Sequence, residues 1–197
     1  MPPLIGLTGA VAAGKSAALE ALSDLGAETL STDAVTHELL SGAEVRDLLV
    51  GRWGADVAPG GTLDRGRIGA IVFERPEELS WLEGILHPMV GERVAAWRAE
   101  LSEDAPLGVV EVPLLFEGTM AAAFDATLVV AAEDELRASR AGKRGTEALA
   151  ARETRQLPQD EKISRADFVV RNDGSPEELR DALAELWPRL LGAGRRT

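Results

Sequence analysis

Eight residues near the N-terminus hold the clearest chemistry in the chain. Gly9-Ala10-Val11-Ala12-Ala13-Gly14-Lys15-Ser16 matches G-x-x-x-x-G-K-[ST] in full. A loop of this kind turns backbone N–H groups inward around phosphate oxygens, and glycine tolerates the dihedrals and close approach required. The expected phosphate contacts are the main-chain groups of Gly9, Val11, Ala12, Ala13 and Gly14. Lys15 adds a point charge at the β- and γ-phosphates, and the Ser16 hydroxyl is the expected ligand of Mg²⁺. A helix beginning at Lys15 contributes unpaired N–H groups and the positive end of its dipole. By composition such a match arises by chance in roughly three of a thousand cases, before its strand-then-helix setting is required. Nucleotide binding is therefore preferred to an incidental lysine on a strand–helix turn.

A phosphate loop does not by itself separate kinases from GTPases or ATPase motors. The guanine-reading N-K-x-D pattern is absent, because Lys15, Lys143 and Lys162 never follow an asparagine. A phosphotransferase also needs an acid near the attacking hydroxyl and cations around the transferring group. Asp33, in Ser31-Thr32-Asp33, lies just beyond a second apolar run, at the edge where open α/β sheets bind ligands. It is placed to take a hydroxyl proton or to hold a Mg²⁺-bound water. The alternative is a helix N-cap ahead of residues 34–40, and one carboxylate can do both.

These groups need a scaffold. Apolar runs at 4–7, 27–30, 108–112, 127–131 and 167–170 alternate with helical patterns. That alternation predicts a parallel, doubly wound five-stranded sheet flanked by helices. Strand order is not legible in it. Leu19, Leu22 and Leu25 mark a helix after the loop, stopped by Gly26. Between the second and third strands lies a mostly helical stretch far longer than one crossover needs, with Pro76 a plausible helix start. Arg137, Arg140, Arg144, Arg152 and Arg155 crowd residues 136–157, and a closing helix is expected over Pro176–Leu191. The expected organisation is a core of residues 1–33, 106–135 and 166–197, an insertion over about 34–105, and a lid over about 136–157.

Other classes are disfavoured. A net charge of −12 gives little reason to expect a nucleic-acid partner. With no cysteine there is no disulfide framework or thiol nucleophile, and two histidines, His37 and His87, make a His-rich metal site improbable. No apolar run reaches bilayer length and the N-terminus lacks the pattern of a signal peptide, so a cytoplasmic protein without membrane contact is expected.

A wider set of motifs carries a family resemblance. Val-Val-Glu-Val-Pro-Leu-Leu-Phe-Glu at 109–117 resembles the V-x-D-V-P-L-L-F-E segment of dephospho-CoA kinases. Leu86-His87-Pro88 and Gly61-Thr62-Leu63-Asp64-Arg65 are similar to the family's L-H-P and G-x-L-D-R. Gln156-Leu157-Pro158-Gln159-Asp160-Glu161-Lys162, Ala166-Asp167-Phe168-Val169-Val170 and Asn172-Asp173-Gly174 resemble Q-M-P-x-x-E-K, A-D-x-V-I and N-x-G in the same order. Two features depart from the family. Its loop usually reads G-G-x-G-S-G-K-S-T, against Ala10, Ala12, Ala13 and Ala17 here, and its D-A-D is Ser31-Thr32-Asp33.

The resemblance implies transfer of the ATP γ-phosphoryl group to the 3′-hydroxyl of the dephospho-CoA ribose, with ATP and Mg²⁺ required. It makes Asp33 the general base, Glu111 an acid holding Mg²⁺, and Arg65, His87 and Glu117 acceptor-side residues. Arg140 becomes the favoured lid cation over Arg144, and the backbone at Asn172 and Gly174 frames the adenine. Plainer readings stand beside these: Glu111 as a solvated strand end, His87 as a polar residue at a helix break before Pro88, and the arginines as surface ion-pair partners. A monomer with a small-molecule partner is expected. The competing functions are another small-molecule kinase of this architecture and a nucleotide-sensing module that transfers nothing.

Overall fold

The computed structural model describes residues 1–142 and 155–193. Five strands make one parallel sheet: β1 (Leu4–Gly9), β2 (Glu28–Ser31), β3 (Gly108–Glu111), β4 (Ala126–Ala131) and β5 (Phe168–Arg171). The expected fold class and all five strands are present, each within two residues of its expected start or end. Their order is β2-β3-β1-β4-β5. The chain leaves the central β1 for β2 and β3 on one side, then crosses to β4 and β5 on the other. Neighbouring connections therefore diverge at the carboxyl end of β1, which is where such sheets open a crevice for ligands. β1 and β4 are buried along their whole length, as expected of strands covered on both faces.

The helices in chain order are α1 (Lys15–Asp24), α2 (Thr32–Ser41), α3 (Ala43–Trp53), α4 (Arg65–Glu74), α5 (Pro76–Glu100), α6 (Asp134–Gly142), α7 (Gln159–Arg165) and α8 (Pro176–Leu191). Ala18, Ala21 and Leu22 of α1 join Leu179, Leu183, Leu186 and Leu190 of α8 in one core with Ile5, Leu7, Val109, Leu128 and Val130 of the sheet. The spacing of three and four along both helices puts these side chains on one face, and their burial fixes α1 at the end of the phosphate loop. α8 starts where its sequence says it should. Ser175 and Glu178 form a reciprocal capping box, and Pro176 occupies the first turn, where a missing N–H costs nothing.

The chain divides into two compact units, residues 1–31 with 97–197, and residues 32–96. The second unit holds α2, α3, α4 and most of α5. Along α5 the buried positions recur every four residues: Glu78, Leu82, Leu86, Val90 and Val94. Glu78 is a carboxylate on a core-facing stripe, and its partners explain how it is tolerated. Its oxygens accept from Arg52 Nε (3.0 Å), Arg52 Nη2 (3.2 Å) and Trp53 Nε1 (2.8 Å). These bonds, led by the one from Arg52, hold its carboxyl below the ordinary range. Trp53 also packs edge-on against Trp81, with Arg52 over the Trp81 ring.

Two local expectations change. The helix after β2 begins at Thr32, two residues earlier than expected, so Asp33 lies in its first turn instead of capping it. His87-Pro88 does not break a helix, because α5 runs straight through both. Gly84, His87 and Pro88 are all exposed, so water can reach the carbonyl that the proline leaves without a donor. No described helix is long and apolar enough to cross a membrane.

Candidate active site

The phosphate loop joins β1 to α1, and its carbonyls are held by donors from the loop itself and from the surrounding fold. Lys15 Nζ donates to the Gly9 and Ala10 carbonyls at 3.1 and 3.2 Å. The Ala13 N–H also donates to Ala10 O at 3.2 Å. Arg137 Nη1 reaches Val11 O at 3.4 Å, and Asn172 Nδ2 donates to Ala13 O at 2.8 Å. Peptide groups whose oxygens are held this way form a fixed scaffold for the amides that an anion needs.

The two consensus glycines are required for different reasons. A Cβ on Gly9 would lie 2.4 Å from the Val130 carbonyl of β4, inside any tolerable contact. Gly14 has φ +99°, and its Cβ would lie 2.0 Å from Asn172 Nδ2. Glycine at this position therefore permits both the left-handed turn and the side-chain bond that holds the loop. Ala12 also lies at positive φ (60°), the one non-glycine to do so among the described residues. Here the alanine-rich loop departs from the family pattern, and the backbone absorbs the strain.

Glu111 closes β3 in register with Leu7 of β1 and Ser31 of β2, and it is buried (7 % exposed). It is not the solvated strand end of the plainer reading. Ser16 is exposed in the first turn of α1. Among the described residues no cluster of three or more His, Cys, Asp or Glu could hold a metal ion alone. Ser16 and Glu111, a hydroxyl and a carboxylate, fit an ion that takes its remaining oxygens from nucleotide phosphates and water, as Mg²⁺ does.

Arg137 and Arg140 are one turn apart on α6. Arg137, with its side chain 15 % exposed, pairs with Asp134 at 2.8 Å besides touching the loop. Arg140 Nη1 donates to the Asn172 carbonyl at 3.0 Å. Arg144 and Arg152 lie outside the described residues. The sequence reading favoured Arg140 and gave Arg137 no role. The available signal was its spacing, since residues three apart on a short helix share a face. Asn172 is expected to frame adenine through its backbone, and its side chain meanwhile holds the loop. Gly174 is exposed, and a Cβ there would collide with Glu178 of the α8 capping box.

The remaining candidates have other surroundings. Glu117 turns one oxygen, Oε1, to Lys162 Nζ (2.9 Å) and the Leu157 N–H (2.8 Å) within the nucleotide unit. In the helical unit Asp33 is exposed in the first turn of α2, Arg65 is exposed at the start of α4, and His87 is exposed on α5. Asp64 caps α4 by accepting from the Arg67 N–H at 3.1 Å.

The family model described as dephospho-CoA kinase matches residues 3–178. The chain belongs to the dephospho-CoA kinase family. The resemblance drawn from the ordered motifs is thereby borne out. The dephospho-CoA kinase of Chromobacterium violaceum is 39% identical over 185 residues, covering 90% of this chain and 89% of that protein. Among solved structures, a Thermus thermophilus protein superposes with TM-score 0.80 at 35% identity, covering 96% of this chain and 98% of its own. Dephospho-CoA kinase from Campylobacter jejuni gives 0.72 at 25%, with 98% of each chain covered. Two features of this chain depart from the family pattern given above: Ala12 at positive φ in the loop, and Ser31, the last residue of β2, where that pattern has its first acid.

Proposed function

We propose that this protein transfers the γ-phosphoryl group of ATP to the 3′-hydroxyl of dephospho-CoA, releasing ADP and CoA. The observation that carries this reading is the phosphate loop, its carbonyls held by Lys15, Arg137 and Asn172, in a chain that matches the family model over residues 3–178. The loop amides and Lys15 bind the β- and γ-phosphates, and the α1 N-terminus adds its dipole. Ser16 and Glu111 would hold Mg²⁺, which would supply neutralising charge to the phosphates when bound.

Asp33 accepts the proton of the acceptor hydroxyl as that oxygen bonds to the γ-phosphorus. The bond from phosphorus to the β–γ bridging oxygen breaks, and its electron pair leaves on ADP. Arg137 and Arg140 supply positive charge beside the loop, where it counts most as the phosphoryl group moves. Arg65 and His87, exposed on the helical unit, bind the acceptor. The expected partner is this small molecule alone, and the expected setting the cytoplasm.

The test is ADP release with ATP, Mg²⁺ and dephospho-CoA, with the phosphorylated position read by ³¹P NMR. One ADP per CoA is expected. Turnover no greater than with adenosine as acceptor would reject the acceptor assignment, and nucleotide binding without any product would favour the sensing module.

A further inference from the structure

We propose that Lys162 is a positioning residue for phosphoryl transfer, acting through the Pro113 carbonyl on the two strand ends that carry the phosphate loop and Glu111. The proposal rests on the functional reading above. Lysine is almost never fully buried without a partner, and Lys162 is 0 % exposed. Its Nζ donates to Glu117 Oε1 at 2.9 Å and to Pro113 O at 3.0 Å. Burial pushes the ammonium below its ordinary pKa, and the bond to Glu117 works against that shift.

The carbonyl it reaches is a junction. Pro113 O also accepts from Thr8 Oγ1 at 3.3 Å and from Gln156 Nε2 at 3.2 Å. Thr8 is fully buried and immediately precedes Gly9, where the phosphate loop begins. Pro113 follows Glu111 by two residues, and between them the Val112 N–H donates to Leu7 O at 2.8 Å. The end of β1, the exit of β3 and α7 therefore meet at one oxygen. Proline has no N–H of its own to anchor the turn, so these donors decide where the chain leaving Glu111 goes.

The junction leaves polar groups unmatched. Glu117 Oε2 and Gln156 Oε1 are buried with no hydrogen-bond partner among the described residues. Replacing a buried ion pair by apolar side chains of similar volume is often neutral or stabilising, so stability is a weak reason to keep one. A buried charge aimed at a backbone oxygen beside a site that must be held to about half an ångström has a positional use instead.

The experiment compares wild type, Lys162→Met and the double variant Lys162→Met/Glu117→Gln by kcat, KM for ATP and melting temperature. The single variant strands the half-buried Glu117 carboxylate and should lose both stability and turnover. The double variant removes that charge, so its melting temperature should return to within about 3 °C of wild type. Its kcat should stay down about tenfold or more while KM for ATP moves less than threefold. Wild-type kcat in the folded double variant overturns the proposal, as does a loss confined to KM. Should the double variant not fold, Thr8→Val removes one donor from the same carbonyl without touching the buried pair. A kcat about threefold lower at unchanged melting temperature then supports the junction, and unchanged kcat overturns it. Wild-type turnover is read in the same assay, so failure of the acceptor assignment appears there and is not confused with failure of the junction.

Discussion

The two compact units use polar groups in opposite ways. In the nucleotide unit, buried or half-buried side chains such as Asn172, Arg137 and Lys162 bond backbone carbonyls and hold the backbone still. In the helical unit the candidates Asp33, Arg65 and His87 stand exposed on helix surfaces, while the buried carboxylate, Glu78, is bound by Arg52 and Trp53 and serves the scaffold. A phosphate is a compact anion that fixed amides can meet with little reorganisation. An acceptor hydroxyl must give up a proton, which calls for a side chain that can take one. Rigidity is built into the first unit, and the proposed proton acceptor comes from the second.

Substitutions sharpen that contrast. Asp33→Asn should lower kcat by about 10²-fold or more and leave ATP affinity within twofold, checked by steady-state kinetics and binding of a fluorescent ATP analogue. Turnover within about threefold of wild type would remove Asp33 as the base. Gly14→Ala should weaken ATP binding by about tenfold or more, because it strains the backbone and pushes on Asn172 at once. Equal damage to acceptor binding in that variant would blur the division between the units.

Glu78→Gln should lower the melting temperature by roughly 3–6 °C without changing KM for either substrate. The pH dependence follows from its depressed carboxyl. The folded state binds this proton less readily than the unfolded one, so the stabilisation is present above the ordinary carboxylate value and is lost as pH falls through the folded value. Wild type should therefore lose stability below about pH 4.5 more steeply than Glu78→Gln, as thermal unfolding at several pH values would show. The smallest effect is expected from Ala12→Gly. Relieving one alanine at positive φ should raise stability by about 1 kcal/mol and change kcat less than twofold. A large loss of ATP affinity there would mean that the alanine stiffens the loop to good purpose.

Much of this was legible in the chain itself. The phosphate loop, the five strands, the helix over Pro176–Leu191 and the family all follow from local signals. Those signals are a glycine pattern before a lysine, runs of valine and leucine, leucines at helical spacing after Pro176, and motifs in a fixed order. Each depends on residues near one another in sequence, where dihedral preference and periodicity act. The helix boundary at Asp33 and the passage of α5 through Pro88 were misjudged, since local preference there is overridden by packing and by which face meets water.

Sequence alone pointed to nucleotide binding, located the loop, and named the kind of acceptor to test. Only the tertiary structure decided strand order, the partners of Glu78, the use of Asn172 and Arg137 to fasten the loop, and the meeting of Thr8, Gln156 and Lys162 at Pro113. Those contacts join residues up to 159 positions apart. A hydrogen bond across that distance leaves no periodicity in the chain; it exists because folding brings a donor and an oxygen together out of water, where neither can be left unpaired without cost.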